Sequence, residues 1–222
     1  MKTAEVWDRF EDVMRRKSPA NFEALRPPAS AEAIATAEKA MKVKFPAALR
    51  TAYLRHDGAT WGKMDMREGL ALFHNSWWCG LDEMVDHWHF MVREAGAVEM
   101  DDPDFYMFPI KAPSWDRLAI RPEWWNKKWL PIGRSNTANT YYIDLMPGPR
   151  GTKGQIISDS GEMSAALIAP DLNAWLTFLS DSFESGRFKT EPGSSLWIDT
   201  LQGSDVQRRF SDYGQRSNGA VE

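Results

Sequence analysis

The stretch Trp129-Leu130-Pro131-Ile132, followed by Thr140-Tyr141-Tyr142-Ile143-Asp144-Leu145 and then Gln155-Ile156-Ile157, decides the fold class. Each piece is apolar, β-branched or aromatic and has the length of a strand. Asn136 to Asn139 is a polar turn between the first two, and Pro147 to Gly154 is a loop rich in glycine and proline between the second and third. Strands joined so closely pair as hairpins, which predicts a mainly antiparallel sheet. Ala165 to Ala169 is a further strand. After Asp171, which has the chemistry of an N-cap, Leu172, Trp175, Leu176, Leu179 and Phe183 fall on one face of a closing helix.

Upstream of the sheet the period changes to helical. Val6, Trp7, Phe10, Val13 and Met14 form one apolar face, and Pro19 is expected to end that helix. Ser30 caps a second helix carrying Ile34, Ala37 and Met41, with Glu32 in its first turn. Pro46 opens a third through Leu49 and Tyr53, closed by the Asp57-Gly58 turn. Leu70 to Phe73 is a short strand candidate, and Leu81, Met84, Val85, Trp88, Met91 and Val92 share a helical face. Residues 96 to 128 resist assignment, with strand candidates at Phe105 to Ile110 and Leu118 to Ile120. The expected fold is therefore α+β: a single domain over residues 1–189, with N-terminal helices, a mainly antiparallel sheet and a C-terminal helix packed on it. Residues 190–222 form a polar C-terminal extension in which only Leu196-Trp197-Ile198 and Leu201 are able to dock.

The composition excludes several classes. With 43% hydrophobic and 26% charged residues in a chain of 222, the sequence is that of a folded globular domain. A formal net charge of −4 lacks the basic footprint of a nucleic-acid binder. Glu5, Asp8 and Arg9 interrupt any signal-peptide core, and no apolar run is long enough for a bilayer, so the expected location is cytoplasmic, without membrane attachment. The lone cysteine, Cys79, excludes an intrachain disulfide. Tryptophan is the outlier, with 11 residues, and large aromatics serve both cores and interfaces.

Catalytic and metal chemistry have little to work with. On a helix, His87 and His89 point about 200° apart and cannot share a zinc ion; they read as polar positions flanking a buried Trp88. Cys79 with His74 has the elements of a nucleophile and base, but Trp77, Trp78 and Leu81 surround it, which fits an inert core thiol. Glu99, Asp101, Asp102 and Asp104 lack the spacing of a calcium loop and read as a solvated acidic loop able to meet a basic partner. The Gly148, Gly151 and Gly154 series lacks the lysine and the following helix of a phosphate loop. No catalytic residue, metal ligand or cofactor is assigned. Neighbours in a strand face opposite ways, so each adjacent tryptophan pair offers an exposed anchor unless helices on one sheet face and the tail on the other bury both. The candidate partner-binding residues are Trp61, Trp77, Trp78, Asp101, Asp102, Asp104, Trp124 and Trp125.

Two blocks carry a resemblance. The first runs Leu25-Arg26-Pro27-Pro28-Ala29-Ser30, Ile34, Glu38, Phe45-Pro46, Leu49, Tyr53-Leu54 and Asp57-Gly58. The second runs from Trp129 to Gly133 through Tyr142-Ile143-Asp144-Leu145 and Gly154-Gln155-Ile156-Ile157 to the helix after Asp171, with Gly80-Leu81-Asp82-Glu83-Met84 between the blocks. In this order, over about residues 20 to 185, the chain resembles the SUKH superfamily, whose fungal members are the Smi/Knr cell-wall regulators. The resemblance implies a non-enzymatic binding domain. Bacterial members look mostly like cytoplasmic immunity proteins, so the first expectation is a protein that occludes a cognate secreted toxin. A net acidic inhibitor suits a nuclease toxin, whose own site must be basic. The alternative expectation is a regulatory protein–protein interaction module of the Smi/Knr type.

Overall fold

The computed structural model describes residues 2–60, 76–97, 118–121, 125–135, 140–159, 165–190 and 197–200. Helix α1 (Thr3–Lys17) is followed by α2 (Pro19–Glu23), α3 (Ala31–Met41) and α4 (Ala47–Arg55). Proline 19 starts α2 at its first position, where its missing N–H is no loss, so Ser18 is a corner between two helices and not the end of the helical region. Ser30 Oγ accepts the Ala33 N–H at 3.0 Å and Asp171 Oδ1 accepts the Ala174 N–H at 2.8 Å, so both expected caps are in place.

Strand β1 (Trp77–Trp78) leads into α5 (Leu81–Ala97). The sheet is completed by β2 (Trp129–Arg134), β3 (Thr140–Asp144), β4 (Gln155–Asp159) and β5 (Ala165–Ala169), all antiparallel in the order β1-β2-β3-β4-β5. Pro131 sits inside β2 at the start of a register shift against β3, where an irregular ladder tolerates a residue without a donor. After β5 comes α6 (Leu172–Glu184), which lies along α1, and then a separate strand pair, β6 (Phe188–Thr190) with β7 (Trp197–Asp199). The expected domain boundary after residue 189 therefore falls inside a strand pair.

Helices cover one sheet face. Leu130, Ile132, Tyr141, Ile143, Ile156 and Ile168 pack there with Val6, Trp7 and Phe10 of α1 and Trp175, Leu176 and Leu179 of α6. Fully burying each such side chain stabilises the fold by roughly 1.5–3 kcal/mol. The other face carries a second core of Trp129, Tyr142, Ile157, Ala165 and Leu167, closed by Ala119 and Ile120. Because both faces are covered, β3 is buried throughout, and its middle, Tyr141-Tyr142-Ile143, does not alternate between apolar and polar.

Residues 118–121 are a turn and not the strand expected at Leu118 to Ile120. Their carbonyls serve the Pro147–Gly154 loop: Gly148 N donates to Ala119 O (2.9 Å) and Arg150 N to Leu118 O (2.8 Å). A Cβ on Gly151 would stand 2.1 Å from Ala119 O, so this glycine permits the close approach of two backbones. Gln155 secures the junction, with Nε2 donating to Ala119 O and Asp144 Oδ2 and Oε1 accepting from Thr152 N, all at 2.9 Å. The glycine series that superficially spaces like a phosphate loop thus serves packing.

Glu38 on α3 is the buried carboxylate of the helical layer. Burial alone pushes its pKa up, but hydrogen bonds from Lys44 (2.8 Å), the Phe45 N–H (2.9 Å) and Arg50 (2.7 Å) bring it down to about 2. The three donors tie the Val43–Phe45 connection and α4 to α3.

Candidate functional site

The junction between α4, β1 and α5 is built from the motif residues of the first block. Asp57 N donates to Pro27 O (2.9 Å) and Arg26 N to Gly58 O (3.0 Å), which holds the two connections side by side. Asp57 Oδ1 then accepts the Leu81 N–H (2.9 Å), and Glu83 Oε2 accepts the Gly80 N–H (2.7 Å), so two carboxylates serve the start of α5. Arg26 closes the arrangement on Glu83. Tyr53 Oη donates to Cys79 O at 2.8 Å. These residues position β1 and α5.

Adjacent tryptophans in β1 separate as strand geometry requires. Trp78 is 1% exposed, stacked on Trp7 with ring centroids 5.5 Å apart and tilted against Tyr53 at 5.4 Å. It is a core residue, which corrects its assignment as an exposed anchor: β1 turns this side chain towards the helices. Trp77 faces the opposite way and is half-buried. Trp125 is also half-buried and touches both cores, its ring edge-on to Trp88 at 6.3 Å. Trp61, Asp101, Asp102, Asp104 and Trp124 lie outside the described residues, as do His74 and the strand candidates at Leu70 to Phe73 and Phe105 to Ile110.

The thiol of Cys79 is fully buried and burial pushes its pKa far up, which leaves it protonated and inert. His87 and His89 diverge as expected, but His87 is not a solvated flanking position. It is 8% exposed, stacked on Phe90 with ring centroids 6.0 Å apart, and its Nε2 has no hydrogen-bond partner. Burial and the nearby Arg134 charge push its pKa down to about 4. His89 is exposed. Among the described residues, no three His, Cys, Asp or Glu side chains are grouped to hold a metal ion, and no helix is long and apolar enough to cross a membrane.

His87 makes a checkable pH dependence. Its ordinary value of 6.5 applies in the unfolded chain and about 4 in the folded one, so between those values the unfolded state binds more protons. Stability therefore falls as pH drops from 6.5 to 4. Urea melts across that window will show a shallower loss for His87→Gln than for the parent; parallel curves would remove the buried neutral imidazole.

The second half of α5 carries apolar residues that the sequence placed differently. Val92, on the expected buried face, is 37% exposed, and Phe90, on the expected polar face, is 44% exposed. Phe90 was legible only as an apolar residue in a polar position, a signal too common to single out. Trp88 keeps the helix in place, donating from Nε1 to Lys127 O at 3.0 Å. Trp77 and Trp125 are half-buried and Phe90 is exposed, so each keeps part of its aromatic surface accessible.

Comparison with known proteins agrees with this fold. The family model described as SMI1/KNR4 family (SUKH-1) matches residues 28–177, from the turn before α3 into α6. A KNR4/SMI1 homolog of Kluyveromyces lactis is 24% identical over 274 aligned positions, covering 97% of this chain and 49% of the relative. Cell wall assembly regulator SMI1 of Saccharomyces cerevisiae is 21% identical, covering 100% of this chain and 47% of the relative. A KNR4/SMI1 homolog of Yarrowia lipolytica is 27% identical over 100 positions, 40% of this chain and 14% of the relative. The chain thus spans about half the length of the first two relatives. With the five-stranded sheet, α3 to α5 and the start of α6 inside the matched region, the chain belongs to the SMI1/KNR4 family.

Proposed function

We propose that this protein is a non-enzymatic, regulatory protein-binding domain of the Smi/Knr type, acting by docking to another protein. The observation that carries the reading is family membership across the five-stranded sheet and helices α3 to α5, with curated relatives named as KNR4/SMI1 homologs and as a cell wall assembly regulator. The placement of reactive groups supports it. Cys79 is buried and protonated, His87 is buried and neutral, and the half-buried aromatics Trp77 and Trp125 supply contact area instead. Burial of this kind suits packing and withholds nucleophile and base from any substrate.

The test is a tagged pull-down from native cells with partners identified by mass spectrometry and then re-bound as purified proteins. Regulatory proteins that re-bind directly uphold the reading. A single stoichiometric partner that kills cells when expressed alone replaces it with toxin neutralisation, the first expectation from the sequence. Absence of any direct partner overturns both.

A further inference from the structure

Charge is unevenly placed on this fold. Every arginine of α1 and α4 is ion-paired: Arg9 with Asp181 and Glu184, Arg15 and Arg16 with Asp12, Arg50 with Glu38, and Arg55 with Asp8 and Glu11. The end of the sheet where β2 begins and β3 passes into β4 is different. Lys127, Arg150 and Lys153 are exposed there and Lys128 is half-buried, and none of the four makes an ion pair among the described residues. Within 118–121, 125–128 and 144–155 the one acid is Asp144. It is fully buried, with Oδ1 accepting from Met146 N (2.8 Å) and Oδ2 from Gln155 Nε2 (2.9 Å). One solvated lysine without a counter-ion is ordinary. Four cations whose own segments expose no acid set up a local positive field on a chain of net charge −4.

Hydrogen bonds gather these segments into one built surface. Lys128 O accepts from Leu145 N (3.0 Å), Asn126 Nδ2 donates to Met146 Sδ (3.7 Å), and Arg150 N donates to Leu118 O (2.8 Å). Gly154 N donates to Asp144 O (2.7 Å), so the loop that carries Arg150 and Lys153 is closed at its base. Leu118 (43% exposed) and Met146 (38% exposed) are each within two residues of the Gly148–Ala119 hydrogen bond. They are two of the five exposed large apolar residues among the described ones. Accessible apolar surface thus coincides with the unpaired cations.

We propose that this end of the sheet is a docking surface for an acidic segment of a partner protein: Lys127, Arg150 and Lys153 receive its carboxylates, and Leu118 with Met146 receives an apolar side chain. This rests on the protein-binding reading above and specifies the partner's chemistry. Complementary charge draws the segment in, and the apolar contact distinguishes it from a simple polyanion. A phosphate backbone has no apolar group to place there, and the net negative chain repels it at long range. A bilayer would need apolar side chains that protrude, whereas both of these are more than half buried. The closed loop fixes the backbone beneath its cations before binding, which lowers the ordering cost.

The test uses the full chain. Acetyl-Asp-Glu-Leu-Asp-Glu-amide, its uncharged counterpart acetyl-Asn-Gln-Leu-Asn-Gln-amide, a thymidine decanucleotide and phosphatidylserine-containing vesicles are titrated separately. The Gly148, Gly151 and Gly154 amides and the Met146 methyl are followed by NMR. The acidic peptide gives saturable shifts at these positions, with affinity falling at least threefold as salt rises from about 0.05 M to about 0.5 M. The other three probes give none. Arg150→Glu/Lys153→Glu keeps the parent thermal melt and abolishes the response, whereas Lys17→Glu/Lys39→Glu, which changes the net charge equally, leaves it intact. A partner established by pull-down binds Arg150→Glu/Lys153→Glu at least tenfold more weakly than the parent. No saturable response, equal response to both peptides, response to the oligonucleotide or vesicles in place of the acidic peptide, or equal loss in the two charge-reversal variants overturns the proposal. So does a response that appears only in Asp101→Asn/Asp102→Asn/Asp104→Asn, because the chain's own acidic stretch is then the occupant. If no direct partner exists the protein-binding reading fails, whereas a partner that binds Arg150→Glu/Lys153→Glu normally sinks only this surface.

Discussion

Trp78→Ala destabilises the protein by about 3–5 kcal/mol, the cost of deleting a large ring from a packed core. The ring is 1% exposed and lies between Trp7 and Tyr53, so neither neighbour can swing in to fill the space without leaving its own contacts. Trp7 is fully buried between α1 and the sheet, and Tyr53 is held by its hydrogen bond to Cys79 O, so both are fixed on more than one side. Chemical denaturation with the parent m-value is the measurement, and the midpoint falls steeply. Trp77→Ala, made beside it, loses less stability because its ring is only half-buried. The pair reads β1 directly: equal effects would mean that the two indoles do not face opposite ways.

Gly58→Ala costs about 2–5 kcal/mol for two independent reasons. Its φ of +77° is a left-handed conformation, which costs an alanine roughly 1–2 kcal/mol. Its Cβ would also stand 2.5 Å from Gly80 N and 2.7 Å from Cys79 C, both backbone atoms, so β1 and the start of α5 must shift to make room, at about 1–3 kcal/mol. Gly154→Ala separates the two contributions. Its φ is +93° but no atom lies within 4 Å of the added Cβ, so only the conformational part applies. Thermal melts of the two variants will differ, with Gly58→Ala the lower; coincident melts would show that the contact between the Asp57-Gly58 turn and Gly80 is not tight.

The sheet was legible because β2, β3 and β4 are joined by short turns and have strong β composition, two signals that agree. The caps at Ser30 and Asp171 were legible for a similar reason, since a capping side chain acts within three residues of itself. The turn at 118–121 was not. Its apolar residues lie under a loop about 30 positions later in the chain, and its hydrogen bonds go to that loop, so nothing local distinguishes it from a strand. The burial of His87 is of the same kind: helical spacing places it beside the buried stripe, and only the packing of α5 on β2 closes over it.

Of the expected binding residues, Trp77 and Trp125 keep part of their surface and Trp78 loses all but a trace, although nothing in Trp77-Trp78 says which indole faces the helices. Period, turn chemistry and motif order are written along the chain, so the α+β class, strands β2 to β5, helices α1 and α3 to α6, the caps at Ser30 and Asp171 and the family resemblance are readable from it. Which tryptophan is core, and that Gly151 and Gly58 are sites of close backbone contact, follows from the folded arrangement alone. Each of those depends on what a second, distant segment places within a few ångströms, and burial and electrostatics are set by such neighbours.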